Sequence, residues 1–222
     1  MLTHDFVLLA DPQIAAVPVA ECGEPLRSLT GGLTLDPRKR DPQGAYALVR
    51  TGVLARLRTA QAGLPEGVHL LVVEGYRPAD LQRRYFDEHA KRLQRAHPDW
   101  DAARVRREAS AYVSPVEVAP HCTGGAVDLT LCTADGELDL GTDVNASPEE
   151  SAEACFTASD ALRGAAAANR RTLVAAMSAA GFVNYPTEWW HWSYGDRYWA
   201  HATAAPAAVY GPCQPEAPPA RP

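Results

Sequence analysis

Four side chains in two short stretches are of the types that bind a divalent cation and put it to use. In "PHCTGGAVDLTL" His121 and Asp128 stand seven residues apart, and in "EWWHW" Glu188 precedes His191 by three. Two imidazoles and one carboxylate make a three-ligand zinc set with a fourth position open to water. A second carboxylate beside a ligand is the base that such a water needs. His121, Asp128 and His191 are therefore candidate ligands for one Zn2+ per chain, and Glu188 is the candidate base. "YPTEWWHWSYGDRYW" holds four of the five tryptophans, and Glu188 and His191 tolerate burial there only if something pairs with them. Each pair alone has a plainer reading. A loop histidine near a strand-end aspartate is common, and an aromatic strand can carry polar residues on its wet face. The chemistry requires the two stretches to meet.

A third feature is "VVEGYRPAD", where a strand, a glycine and then Arg77, fixed by Pro78, can aim a guanidinium into a cleft. Its fork matches a carboxylate or a developing oxyanion. An arginine on a solvated loop paired with a surface acid fits the same residues.

The elements around these residues have to position them. Seven residues would place His121 and Asp128 on one helix face, but Thr123-Gly124-Gly125 breaks a helix, so a turn should deliver His121 beside a strand carrying Asp128. The Trp/Tyr content around Glu188 favours a strand. On a regular strand i and i+3 face opposite sides, so both reach one site only through a bend or bulge. The same distortion leaves open whether Trp189 or Trp190 walls the substrate pocket while the other enters the core; Trp189 is assigned to the pocket. Residues 44–61 read as an amphipathic helix, "VHLLVVEGY" as a buried strand, "ADLQRRYFDEHAKRLQRA" as a helix stopping before Pro98, and a further helix starts around 99–101. "GGAVDLTL" is a strand with "GELDLG" as its hairpin partner. An alanine-rich helix covers about 160–180 and ends at Gly181. Helices around a short antiparallel sheet make an α+β single domain.

The catalytic domain is expected over residues 1–202, followed by a proline- and alanine-rich, poorly ordered tail over 203–222. The 222 residues suffice for a sizeable core, and the net charge of −6 argues against a nucleic-acid footprint. The first residues lack a basic n-region and a long apolar run, which predicts neither a signal peptide nor a membrane span. Five cysteines without a CxxC pair read as reduced thiols in a cytoplasmic protein. Cys122 would point away from His121 in extended chain and is discounted as a ligand. His69, His89, His97 and His201 lack partners at ligand spacing. Nothing in the sequence sets the oligomeric state.

Taken in order, "EGYRP", "HCTGGAVDLTL" and "EWWHW" resemble the D-alanyl-D-alanine dipeptidases of the vancomycin-resistance type, a zinc peptidase family that also includes cell-wall D,D-carboxypeptidases. The similarity spans roughly residues 40 to 200. It implies zinc on His121, Asp128 and His191, Glu188 as catalytic base, and Arg77 steadying the tetrahedral intermediate. The implied substrate is a small D,D-dipeptide. Two positions depart from the pattern: Ala119 stands where the family has serine, and Asn145 where an acidic residue holds the substrate's ammonium. Asparagine accepts a hydrogen bond but carries no charge; Asp143 is the nearby acid that could compensate. The rivals are a peptidoglycan carboxypeptidase or endopeptidase acting on stem peptides, and a non-catalytic zinc domain that binds a peptide.

Overall fold

The computed structural model describes residues 6–110 and 112–215. In chain order the strands are β1 (Leu26–Ser28), β2 (Thr34–Leu35), β3 (Leu48–Arg50), β4 (His69–Glu74), β5 (Ala126–Thr133), β6 (Gly136–Glu137), β7 (Val183–Tyr185) and β8 (Glu188–Ser193). The helices are α1 (Pro12–Ala15), α2 (Thr51–Ala62), α3 (Ala79–Ala96), α4 (Ala102–Ser110), α5 (Pro148–Ser151), α6 (Gly164–Ala179) and α7 (Arg197–Ala202). The main sheet runs β2-β4-β5-β8-β7, with β6 also pairing β5. Its pairs are antiparallel except β2 with β4, so the antiparallel centre is the expected one and the β2 edge makes the whole sheet mixed. The fold class is α+β.

β4 and β5 form the middle of this sheet because they are apolar on both faces. Leu70, Val72, Val73, Val127, Leu129 and Leu131 are fully buried, each worth roughly 1.5–3 kcal/mol relative to exposure. Helix α2 contributes Val53, Leu57 and Ala60 to the same core, and α6 contributes Leu173 and Met177. The only buried carboxylates of the two central strands are Glu74 and Asp128, which face each other in register. A core that admits two carboxylates side by side needs cations nearby.

Three expectations are corrected. Residues 44–61 are not one helix: a 3-10 turn (Ala45–Ala47) and β3 precede α2. Backbone bonds from Gly75 N to Tyr46 O and Tyr76 N to Leu48 O, both 2.7 Å, and pairing of β3 with β1 capture this stretch, long-range partners that periodicity does not register. "GELDLG" pairs only over Gly136–Glu137, with Leu138 N donating to Leu131 O at 2.8 Å, because Leu140 then turns into the core. The chain beyond residue 202 is no loose tail as far as it is described. Ala208 and Tyr210 are buried, Val19 and Ala208 form a bridge, and Cys213 N donates to Cys122 O at 2.9 Å. Prolines remove some donors there, but Ala208, Val209 and Tyr210 keep theirs and find Pro18 and Gly195 carbonyls. The tail residues 216–222 lie outside the described residues. Among the described residues no helix is long and apolar enough to cross a membrane.

Candidate metal centre

β5 and β8 pair so that Asp128 lies directly opposite His191. His121 comes from a 3-10 turn, Pro120–Thr123, that ends at Gly124 with φ +70°. A Cβ at Gly124 would sit 2.4 Å from Leu26 and one at Gly125 2.6 Å from the Tyr194 carbonyl, so the glycine pair lets the turn nest against the sheet. His121, Asp128 and His191 are all buried. Three donor atoms converge: His121 Nε2 to His191 Nδ1 is 3.2 Å, His121 Nε2 to Asp128 Oδ1 3.3 Å, and His191 Nδ1 to Asp128 Oδ1 3.0 Å. A tetrahedral zinc with bonds of 2.0–2.1 Å separates its ligands by about 3.3 Å. The residues fit such an ion. Burial opposes charge on Asp128, but the two imidazoles beside it hold its carboxyl well below the ordinary range. Burial likewise opposes protonation of His121, and Asp128 overrides it, so that pKa is raised.

The outward nitrogens are held too. His121 Nδ1 lies 2.7 Å from the Gly75 carbonyl, which fixes the tautomer with Nε2 free to ligate. His191 Nε2 lies 3.4 Å from the Ser193 hydroxyl. That hydroxyl is next to Asp196, a buried carboxylate that also caps α7 through Trp199 N at 2.8 Å.

The expected distortion of the last strand is present. Tyr185 pairs with Glu188 and Asn184 with Trp192, so 189–191 have no counterparts on β7. The Asn184 amide bridges the gap, donating to the Glu188 carbonyl at 3.1 Å and the His191 carbonyl at 3.0 Å. This bulge brings Glu188 and His191 to one cleft despite their i, i+3 spacing. Burial pushes the Glu188 carboxyl up to about 7, a value suited to a base working near neutral pH. The Trp190 indole lies beside that carboxyl, and Trp190 lines the adjoining cavity. Trp189 does not wall the cleft: its indole N–H donates to Thr142 Oγ1 at 2.8 Å, the Arg170 guanidinium covers its ring, and it is core. The bulge reverses the assignment that alternation could not make.

Arg77 lines the same cleft as His121, Asp128, His191, Glu188 and Asn145. Its Nε and Nη2 donate to Glu74 at 2.7 and 2.6 Å, and its Nη1 to Gln82 Oε1 at 2.7 Å. Gln82 is itself tied to the Ser114 carbonyl at 2.6 Å. Three of the five guanidinium protons are thus engaged and two remain for a ligand. Sequence reasoning gave no role to Glu74, Gln82 or Asn184. For Glu74 a signal existed in "EGYRP", an acid three residues before the arginine. Glu74→Gln should lower peptidase kcat/KM on the order of 10²-fold by letting the fork drift. A double-mutant cycle with Arg77→Ala checks it: if Glu74 acts through Arg77, the second change adds almost nothing. Additive losses would refute that link. Asn145 has φ +68° and lines the cleft, whereas Asp143 lines only a neighbouring depression that Asn145 also borders.

The buried His-Asp-His cluster could hold a metal ion, and it shares its cleft with a glutamate whose carboxyl burial raises and an anchored arginine, the set of groups a metallopeptidase uses. A family model described as D-ala-D-ala dipeptidase (Peptidase_M15) matches residues 34–206, and the chain belongs to that family. It is 30% identical over 217 residues to the D-alanyl-D-alanine dipeptidase of Synechocystis, covering 83% of this chain and 87% of the relative. To the Escherichia coli D-alanyl-D-alanine dipeptidase it is 29% identical, covering 67% of each. A fainter likeness, TM-score 0.45 at 16% identity over 87% of this chain and 91% of the other, is to the vancomycin-resistance D,D-pentapeptidase VanY in complex with Zn(II).

Proposed function

We propose that this enzyme hydrolyses the peptide bond of D-alanyl-D-alanine, or of a similar D,D-dipeptide, with one zinc ion per chain, in the cytoplasm. The observation that carries the reading is the 3.0–3.3 Å triangle of His121, Asp128 and His191 donor atoms. Glu188 and Arg77 on the same cleft wall make it more than a structural site, since a structural zinc takes four protein ligands and no spare base. Relatives named as D-alanyl-D-alanine dipeptidases support the substrate.

Bound zinc would polarise the scissile carbonyl and acidify water. Glu188 takes the proton of the attacking water and returns it to the leaving amine. The two uncommitted N–H groups of Arg77 meet the charge growing on the carbonyl oxygen, where loss of a donor typically costs on the order of 3 kcal/mol of barrier. Asn184 and Glu74 keep those two side chains aimed.

A panel of dipeptides with D,D, L,D and L,L stereochemistry, run with zinc and after chelation, tests the reading. The expected result is preferential D,D cleavage that chelation abolishes and zinc restores. Cleavage of L,L dipeptides at equal rate would remove the specificity, full activity after chelation would remove the metal, and preference for a pentapeptide stem would favour a carboxypeptidase.

A further inference from the structure

The cleft continues past the metal centre. The compartment holding Arg77 and the three ligand residues is about 310 Å³. A second compartment of about 560 Å³ adjoins it, and the two share Tyr112, Val113, Asn145 and Glu188. Since Glu188 stands on the boundary, whatever is bonded at the reacting centre is next to the second space. We propose that this second compartment takes the side chain of a substrate's amino-terminal residue, so that D,D-dipeptides with a bulky apolar first residue are better substrates than D-alanyl-D-alanine. The inference rests on the function proposed above and narrows it.

Size and lining carry the first part. Leu8, Leu93, Val113, Ala146, Pro148 and Trp190 give the second compartment a largely apolar wall. The methyl group of an alanine leaves such a space empty, whereas each further CH₂ buried in it is worth roughly fourfold in binding. His89, Arg92, Tyr112, Asn145, Ser147, Glu149, Glu150, Thr187 and Glu188 complete the lining, and apolar contact area with polar groups that orient a ligand is the ordinary form of a side-chain site.

Charge carries the orientation. Lys39 and Arg77 line the first compartment and not the second, while Glu149 and Glu150 line the second and not the first. A zwitterionic dipeptide therefore lies with its carboxylate toward Lys39 and its ammonium toward the second compartment, which turns its first side chain into that space. Arg92 is also on that wall, with Nη2 2.8 Å from His89 Nδ1, and its single positive charge is outnumbered there by Glu149 and Glu150. Glu149 accepts a hydrogen bond from the Tyr112 hydroxyl, and that bond lowers its pKa and keeps it ionised. An acid four residues after Asn145 thus supplies the negative charge that Asn145 lacks.

The test measures kcat/KM of the zinc-loaded full chain for D-Ala-D-Ala, D-Leu-D-Ala, D-Phe-D-Ala and the reversed D-Ala-D-Phe. The expected order places D-Phe-D-Ala about tenfold or more above D-Ala-D-Ala and well above D-Ala-D-Phe. Ala146→Trp, and independently Val113→Trp, fill the compartment and should lower the D-Phe-D-Ala to D-Ala-D-Ala ratio about tenfold, with melting curves confirming that each variant folds. Hydrolysis of D-Ala-D-Ala without a preference for bulky first residues would overturn the inference and leave the dipeptidase reading standing. A preference for D-Ala-D-Phe would overturn the orientation, and unchanged ratios in both tryptophan variants would place the bulky side chain elsewhere. Failure to cleave any D,D-dipeptide would bring down both readings.

Discussion

Glu188→Gln should fold, retain its zinc and lose roughly 10²- to 10⁴-fold in kcat, the usual contribution of a positioned general base. Glutamine keeps the shape and hydrogen bonds of the side chain but accepts no proton. Zinc content per chain separates the two roles, because Glu188 is not one of the three converging ligand residues. The same substitution has an opposite effect on stability once the metal is stripped. Burial raises the Glu188 carboxyl from 4.5 to about 7. A carboxyl raised in the folded state favours folding fully below its unfolded value, and that benefit disappears as pH climbs from about 4.5 to about 7. Metal-free Glu188→Gln should therefore melt higher than metal-free wild type at pH 8 and show no such gain at pH 4. Undiminished turnover, or a gain that is larger at pH 4, would contradict the assignment of this residue.

His191→Ala should abolish measurable hydrolysis and weaken zinc binding by more than about 100-fold, beyond what loss of a supporting group around a ligand costs. Removing one imidazole also takes away a partner of buried Asp128 at 3.0 Å and leaves it His121 at 3.3 Å. Competition with a chromophoric chelator measures the affinity directly. Thermal melts give a second readout: zinc at about 100 times its Kd stabilises a binding-competent protein by about 2.7 kcal/mol, so wild type should gain in Tm and His191→Ala should not. A variant that still binds zinc tightly would show that the triangle is not the binding site.

The resemblance in three motifs brought out the ligand set, the base and the arginine because the chemistry fixes residue type at each of those positions, and type is what a sequence records directly. The strands carrying them were legible for a related reason: "HLLVVE" and "AVDLTLCT" are buried along nearly their whole length, which leaves a continuous apolar run. The 3-10 turn and β3 before α2 were not legible, since their partners at Gly75, Tyr76 and β1 lie far along the chain. The ordered stretch up to Cys213 was hidden by a composition that usually accompanies disorder. There, a buried Tyr210 bonded to Glu24 at 2.7 Å outweighs the prolines around it.

By itself, then, the sequence determined which side chains could hold a cation and move a proton, and that they sit in an α+β domain. Only the tertiary structure decided how they are aimed: that Asn184 folds 189–191 into a bulge, that Trp190 and not Trp189 reaches the cleft, that Glu74 and Gln82 lock Arg77, and that the cleft has a second compartment. The reason is physical. Donor chemistry belongs to a residue, whereas aim and enclosed volume depend on hydrogen bonds and packing between residues far apart in the chain, and no local pattern encodes those.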